Sequence, residues 1–196
     1  MSTNRGSGNS APPPRRTDAR LNRERLVAAA QQVFAEAGPG ASLNRIAQRA
    51  GVGPGTLYRH FPNRQALLAA VLRDRIEKLV EQADVLTATE SPDEALAQWL
   101  GALLAHARLN QGMGSALLVE EPEKTLGVNC HRLILDAAAA LLAGAQARGT
   151  ARADLAAGDL VQLVVGIALS TAHGPDTDQP ARLLDLVLDA VFGTAR

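Results

Sequence analysis

The stretch "GVGPGTLYRHFPNRQALL", residues 51–68, places two aromatic side chains, Tyr58 and Phe61, in a chain that is only 3% aromatic. Gly53-Pro54 opens a short helix, since proline suits the first helical position, and Pro62 closes it. At 100° per residue Leu57 and Phe61 lie about 40° apart and form one apolar face. Gly55 and Arg59 fall opposite that face, Thr56 and Tyr58 flank them, and His60 sits at the rim. The outward surface thus offers a glycine without a side chain, a hydroxyl, a phenol and a guanidinium. A glycine at the exposed centre of a helix costs roughly 1 kcal/mol against alanine, and it lets the backbone come close to another surface.

Working outward, Ser42 is placed to cap a preceding helix, "LNRIAQRA", with Ile46, Ala47 and Ala50 on one side. Gly51 ends that helix, and a three-residue turn leads into the short one. Two helices so joined form a helix-turn-helix, whose second helix enters the DNA major groove. Upstream, Leu26, Ala30, Val33, Phe34 and Ala37 recur at helical spacing until "GPG" at 38–40 stops the pattern. Downstream, Asn63 caps a long helix over 64–86 with Leu68, Val71, Leu72, Ile76, Leu79 and Val80 along one side. Tyr58, His60 and Arg64 are placed to meet phosphates, as are the N–H groups of Arg64 and Gln65 at the start of the long helix.

Charge separates the same region from the rest. The chain as a whole is neutral, yet residues 1–78 carry 13 Lys and Arg against 5 Asp and Glu, and residues 79–196 carry 7 against 15. A basic first half suits a polyanionic partner. Residues 1–19, rich in Ser, Asn, Gly and Pro, read as a disordered basic arm. Its arginines and the next, Arg15, Arg16, Arg20 and Arg23, are candidates for the minor groove or the backbone.

Beyond residue 88 the pattern stays helical. Ser91 and Pro92 open one helix, "SALLVEE" reads as a short one, and three longer ones follow. The fold class is all-α with about nine helices: a helix-turn-helix unit over 20–80 (the motif itself at about 42–61) and a C-terminal unit over 81–196. The lone cysteine, Cys130, gives no disulfide framework, and there is no apolar leader, so a cytoplasmic soluble protein is expected. His106, His131 and His173 lack metal-ligand spacing, so neither a metal nor a cofactor is expected. No nucleophile–base or carboxylate pair falls on one helical face, which speaks against an enzyme.

Residues 21–80 resemble the N-terminal domain of the TetR family of bacterial transcriptional regulators. The resemblance rests on "RLVAAAQQVFAEAG", "SLNRIAQRAGV" and "GTLYRHFPNRQALL". It matches Ser42, Ile46-Ala47, Ala50-Gly51-Val52, Gly55, Leu57-Tyr58 and His60-Phe61 to the family pattern, with Arg64 at its basic position. Gly53 departs from a frequent serine, and Arg64 from a more frequent lysine. The resemblance implies base contacts from Pro54, Gly55, Thr56 and Arg59. It implies phosphate contacts from Ser42, Tyr58, His60 and Arg64, with Arg45 also at the DNA.

For the C-terminal half the likeness is one of layout. Two helices apolar over a wide arc suggest a homodimer interface through Leu160, Leu163, Val164, Ile167, Leu184, Val187, Leu188 and Val191. Trp99, Leu103 and His106 share one helix face, and with Met113, Leu117, Cys130 and Ile134 they form a candidate pocket for a small, largely apolar effector. The expected function is repression at a pseudo-palindromic double-stranded operator, released by that effector. A helical small-molecule carrier or enzyme, and a regulator acting through a protein partner, are the alternatives.

Overall fold

Three glycines in the left-handed region, Gly38 (φ 74°), Gly51 (φ 69°) and Gly149 (φ 72°), stand just beyond helix ends, where a side chain would strain the backbone. A computed structural model describes residues 15–110 and 126–193. Among these residues there are eight α-helices and no strand. They are α1 (Arg15–Ala37), α2 (Leu43–Arg49), α3 (Pro54–His60), α4 (Arg64–Thr89), α5 (Pro92–Leu109), α6 (Leu126–Ala147), α7 (Ala157–Ser170) and α8 (Gln179–Phe192).

The first helix starts earlier than the sequence pattern suggests: residues 15–19, read as part of the arm, already belong to α1. Ala37, expected on its apolar stripe, is exposed, whereas Leu26, Ala30, Val33 and Phe34 are buried. The short helix expected over 115–121 lies outside the described residues, as do Met113 and Leu117.

Caps explain several of the boundaries. The Asn63 side chain accepts a 2.8 Å bond from the Ala66 N–H at the start of α4. Ser91 and Glu94 form a reciprocal capping box before α5, with Pro92 in the first turn. Ser42 stands at the N-cap of α2, but its side chain makes no capping bond.

Two apolar cores share one helix. Leu26, Val33 and Phe34 from α1 pack with Ile46, Leu57, Phe61 and, from α4, Leu67, Leu68 and Val71. Further along α4, Leu79, Ala83 and Leu86 belong to a second core with Leu96, Trp99, Leu100, Leu103, Leu141, Leu160 and Val164. In that core α5 packs against α4, α6, α7 and α8. Trp99 is fully buried, and its indole N–H donates to the Leu79 carbonyl at 2.9 Å.

Between the two cores the seam on α4 is polar. Gln31 of α1 donates to Asp74, which also takes Lys78. Arg75 donates to Asn110 Oδ1 at 2.6 Å and more weakly to the Gln31 carbonyl at 3.4 Å. Asn110 in turn lies 3.1 Å from His106 Nε2 through its amide nitrogen. That contact needs a neutral ring, because a protonated imidazole has no acceptor left. Burial first, and then the Arg75 charge, push the His106 pKa down to about 4.

The sign of the linkage follows. The folded state disfavours the His106 proton relative to the unfolded chain, so the stability is complete above about pH 6.5 and is lost as pH falls towards 4. Between pH 7.5 and pH 5 the unfolding free energy should drop by about 2 kcal/mol through this residue. Urea titrations at both pH values check it: His106→Gln should flatten the difference, and an unchanged slope would show that the ring is not held neutral.

Candidate nucleic-acid interface

Leu57 and Phe61 fix α3 to the first core, at 1% and 3% exposure. Burying two such side chains stabilises the attachment by about 1.5–3 kcal/mol each, enough to hold a seven-residue helix that would not survive alone. The guanidinium of Arg23 lies 5.3 Å above the Phe61 ring and closes that pocket from outside. Arg23 thus has a place against the protein itself, and Arg20 pairs with Glu24 one turn on at 3.6 Å. Of the four arginines expected to reach for DNA, Arg20 is paired within α1 and Arg23 is held over the Phe61 ring.

The opposite side of α3 faces outward. Pro54, Gly55 and Arg59 are exposed, Tyr58 is half exposed, and Thr56 and His60 are partly covered. A Cβ built on Gly55 meets nothing within 4 Å, and its backbone is not left-handed. Nothing inside the protein requires glycine there. An added methyl would project from the outer side of α3.

The structure redirects two expected contacts. Arg64 Nη1 donates to the carbonyls of Pro39 (2.9 Å) and Ala41, so this guanidinium clamps the α1–α2 turn to the start of α4. Arg64 thus has a structural role in the free protein. Arg45 is paired with Glu36 at 2.6 Å, and the same carboxylate takes Arg49 at 2.5 Å. Arg45, expected at the DNA, thus shares an exposed carboxylate with Arg49 in the free protein. The sequence pattern missed Glu36 and Arg49, because residues 9 and 13 positions apart meet only once α1 and α2 pack. Ser42 keeps an exposed hydroxyl at the start of α2.

In the C-terminal unit, the candidate pocket residues separate. Trp99 and Leu103 are core residues and His106 belongs to the seam. Ile134 packs against the second core, while Cys130 lines a groove of about 390 Å³ between α4 and α6 with Arg73, Ile76, Glu77 and Leu133. Burial pushes the Cys130 thiol up. That groove carries charges at its rim, where a largely apolar lining was expected.

The expected dimer residues also divide. Leu160, Val164, Ile167, Leu184 and Val191 are buried within the chain's own core, and Leu160, Ile167 and Val191 also form the floor of an apolar trough. Leu163 is half exposed, Val187 and Leu188 are partly covered, and the exposed Leu186 and Leu169 were not anticipated. An open apolar trough of about 310 Å³ runs between α7 and α8, bordered by Leu163, Leu183, Leu186, Val187 and Ala190.

A helix-turn-helix packed on α1, with a polar α3 face turned outward, defines a DNA-binding protein of the helix-turn-helix class. Comparison with known proteins agrees. The family model for bacterial regulatory proteins of the tetR family matches residues 26–71. The model for the SbtR-like transcriptional regulator C-terminal domain matches residues 91–191. The chain belongs to the TetR family of bacterial transcriptional regulators.

A TetR transcriptional regulator from Streptomyces coelicolor is 38% identical, with TM-score 0.76, over 88% of this chain and 99% of that one. A TetR regulatory protein from Mycobacterium vanbaalenii is 35% identical, with TM-score 0.72, over 91% and 99%. An HTH-type transcriptional regulator from Staphylococcus aureus is 44% identical over 59 residues, which is 30% of this chain and 32% of the relative. The match thus spans about a third of that curated relative's length.

Gly55→Ala tests the reading of α3. The substitution should stabilise the fold by about 0.5–1 kcal/mol, because alanine is the better helix former. It should weaken DNA binding at least tenfold. Thermal unfolding and fluorescence anisotropy measure the two; a variant that is both more stable and equally tight would show that Gly55 does not face the DNA closely.

Proposed function

We propose that the protein is a homodimeric repressor that binds a pseudo-palindromic operator and is released by a small-molecule effector. The observation that carries the proposal is the two-sided α3. Its inner side is locked by Leu57 and Phe61, while its outer side presents Gly55, Thr56, Tyr58 and Arg59 without a partner helix over them. On this reading Pro54, Gly55, Thr56 and Arg59 face base edges. Ser42, Tyr58 and His60 meet phosphates, and Arg64 adds its charge beside them while holding the turn.

Dimerisation is supported by the α7–α8 face. Leu163, Leu186 and Val187 border an apolar trough on the surface, and a symmetric partner would cover it with the same residues. Two α3 helices then reach successive major grooves about 34 Å apart. Light scattering at micromolar concentration should give twice the chain mass, and Leu186→Asp should shift it towards one chain. A monomeric mass for the unaltered protein would remove the dimer from this reading.

The regulatory input belongs to the C-terminal unit. The groove beside Cys130 has one wall on α4, the helix shared by both cores, so a ligand there bears on the element that positions α3. A tenfold to hundredfold loss of operator affinity requires only about 1.4–2.8 kcal/mol of coupling between the two sites.

Selection of bound duplexes from a random DNA library should enrich a pseudo-palindrome. With the selected duplex, Tyr58→Phe should weaken binding to all sequences alike, whereas Arg59→Ala should also alter base preference. About six to eight phosphate contacts per dimer imply a log–log salt slope near −5 to −7. Failure to enrich any sequence, at low salt as well as moderate, would overturn the operator reading.

A further inference from the structure

The first helix of the motif carries two arginines one turn apart, and a single carboxylate holds both. Arg45 Nη2 donates to Glu36 Oε2 at 2.6 Å, and Arg49 Nη1 donates to Glu36 Oε1 at 2.5 Å. Each carboxylate oxygen takes one guanidinium. Arg49 and Arg45 together hold the Glu36 carboxyl below the usual carboxylate range, the Arg49 hydrogen bond contributing most.

All three side chains are solvent-accessible, at 52% for Arg45, 38% for Arg49 and 44% for Glu36. Exposed ion pairs of this kind add little to folding stability. The α1–α2 contact is in any case made by Val33, Phe34, Ile46 and Ala47 in the first core. The triad therefore needs another account, and its position supplies one. In a helix-turn-helix the first helix crosses the DNA backbone, and the exposed Ser42 at the start of α2 marks that side. Two arginines on that helix are the natural donors to phosphate, yet each already has an anion.

We propose that Glu36 is an internal competitor of the DNA backbone: it holds Arg45 and Arg49 and so restrains sequence-independent binding. The inference rests on the DNA-reading function proposed above. Sequence-independent affinity comes almost wholly from cations that displace counterions from phosphates. Two arginines that share one carboxylate present one net positive charge in place of two, and displace fewer. The base-reading residues of α3 are untouched by the triad, so the restraint falls on the part of the affinity that carries no sequence information.

A mutant cycle on a random-sequence duplex tests this, using the full chain and anisotropy over 50–300 mM salt. Glu36→Gln keeps the shape and removes the charge. It should tighten binding at least about tenfold near 100 mM salt and steepen the log–log slope by about 2 per dimer, as one net positive charge per protomer is released. The pair Arg45→Gln and Arg49→Gln should weaken binding less in the unaltered background than in the Glu36→Gln background, because the shared carboxylate competes with phosphate for both guanidiniums. Added to Glu36→Gln, the same pair should erase the gain.

Two results would overturn the inference while leaving the DNA-reading function standing. One is a Glu36→Gln variant, folded by circular dichroism, that binds the random duplex as the unaltered protein does. The other is a loss from the arginine pair that is as large in the unaltered background as in the Glu36→Gln background. An unaltered protein that binds neither the random duplex nor any selected sequence would instead overturn the DNA-reading function itself, and this inference with it.

Discussion

Everything in this molecule hangs on the continuity of α4. Its first turns give Leu67, Leu68 and Val71 to the core that carries the recognition helix, and its later turns give Leu79, Ala83 and Leu86 to the C-terminal core. A helix is stiff along its axis, so the two cores cannot move independently without bending it or shifting one packing surface. The residues between them, Asp74, Arg75 and Lys78, are polar and hydrogen-bonded. Directional bonds hold this seam where dispersion holds the cores on either side.

The DNA-reading side shows the opposite economy. The α3 helix has seven residues, too few to persist in water, and its order comes from Leu57 and Phe61 inserted into a core built by other helices. Its outer residues are thereby released from any duty to the fold. Gly55 is the clearest case, a helix residue with open space where its side chain would be. Local stability has been given up at a position where the interior asks for nothing. A local rule broken without an internal reason points to a requirement outside the chain.

Much of the fold was legible because its signals are local. Proline and glycine punctuation, the Asn63 and Ser91 caps, and the Leu57–Phe61 spacing each act within a few residues. The outward set of α3 followed from helix geometry alone. What could not be read were contacts between elements. Arg64 looks like a phosphate donor in the sequence, but packing brings the carbonyls of Pro39 and Ala41 to it. Arg45 looks free until α1 delivers Glu36. In α7 and α8 the sequence shows wide apolar faces but not which half looks inward; Leu160 and Val164 turn to the core, and Leu163 and Leu186 to the surface. Trp99 and Leu103, grouped by spacing as pocket residues, fill the second core instead.

The chain has one tryptophan and one tyrosine, and the fold puts them in different units. Trp99 lies fully buried against α4, bonded to the Leu79 carbonyl, while Tyr58 stands half exposed on the recognition helix. The phenol absorbs beneath the stronger indole band, but light at the red edge of that band excites the indole alone. Its emission therefore comes from a single place in the molecule, where α5 rests on α4, with no label attached.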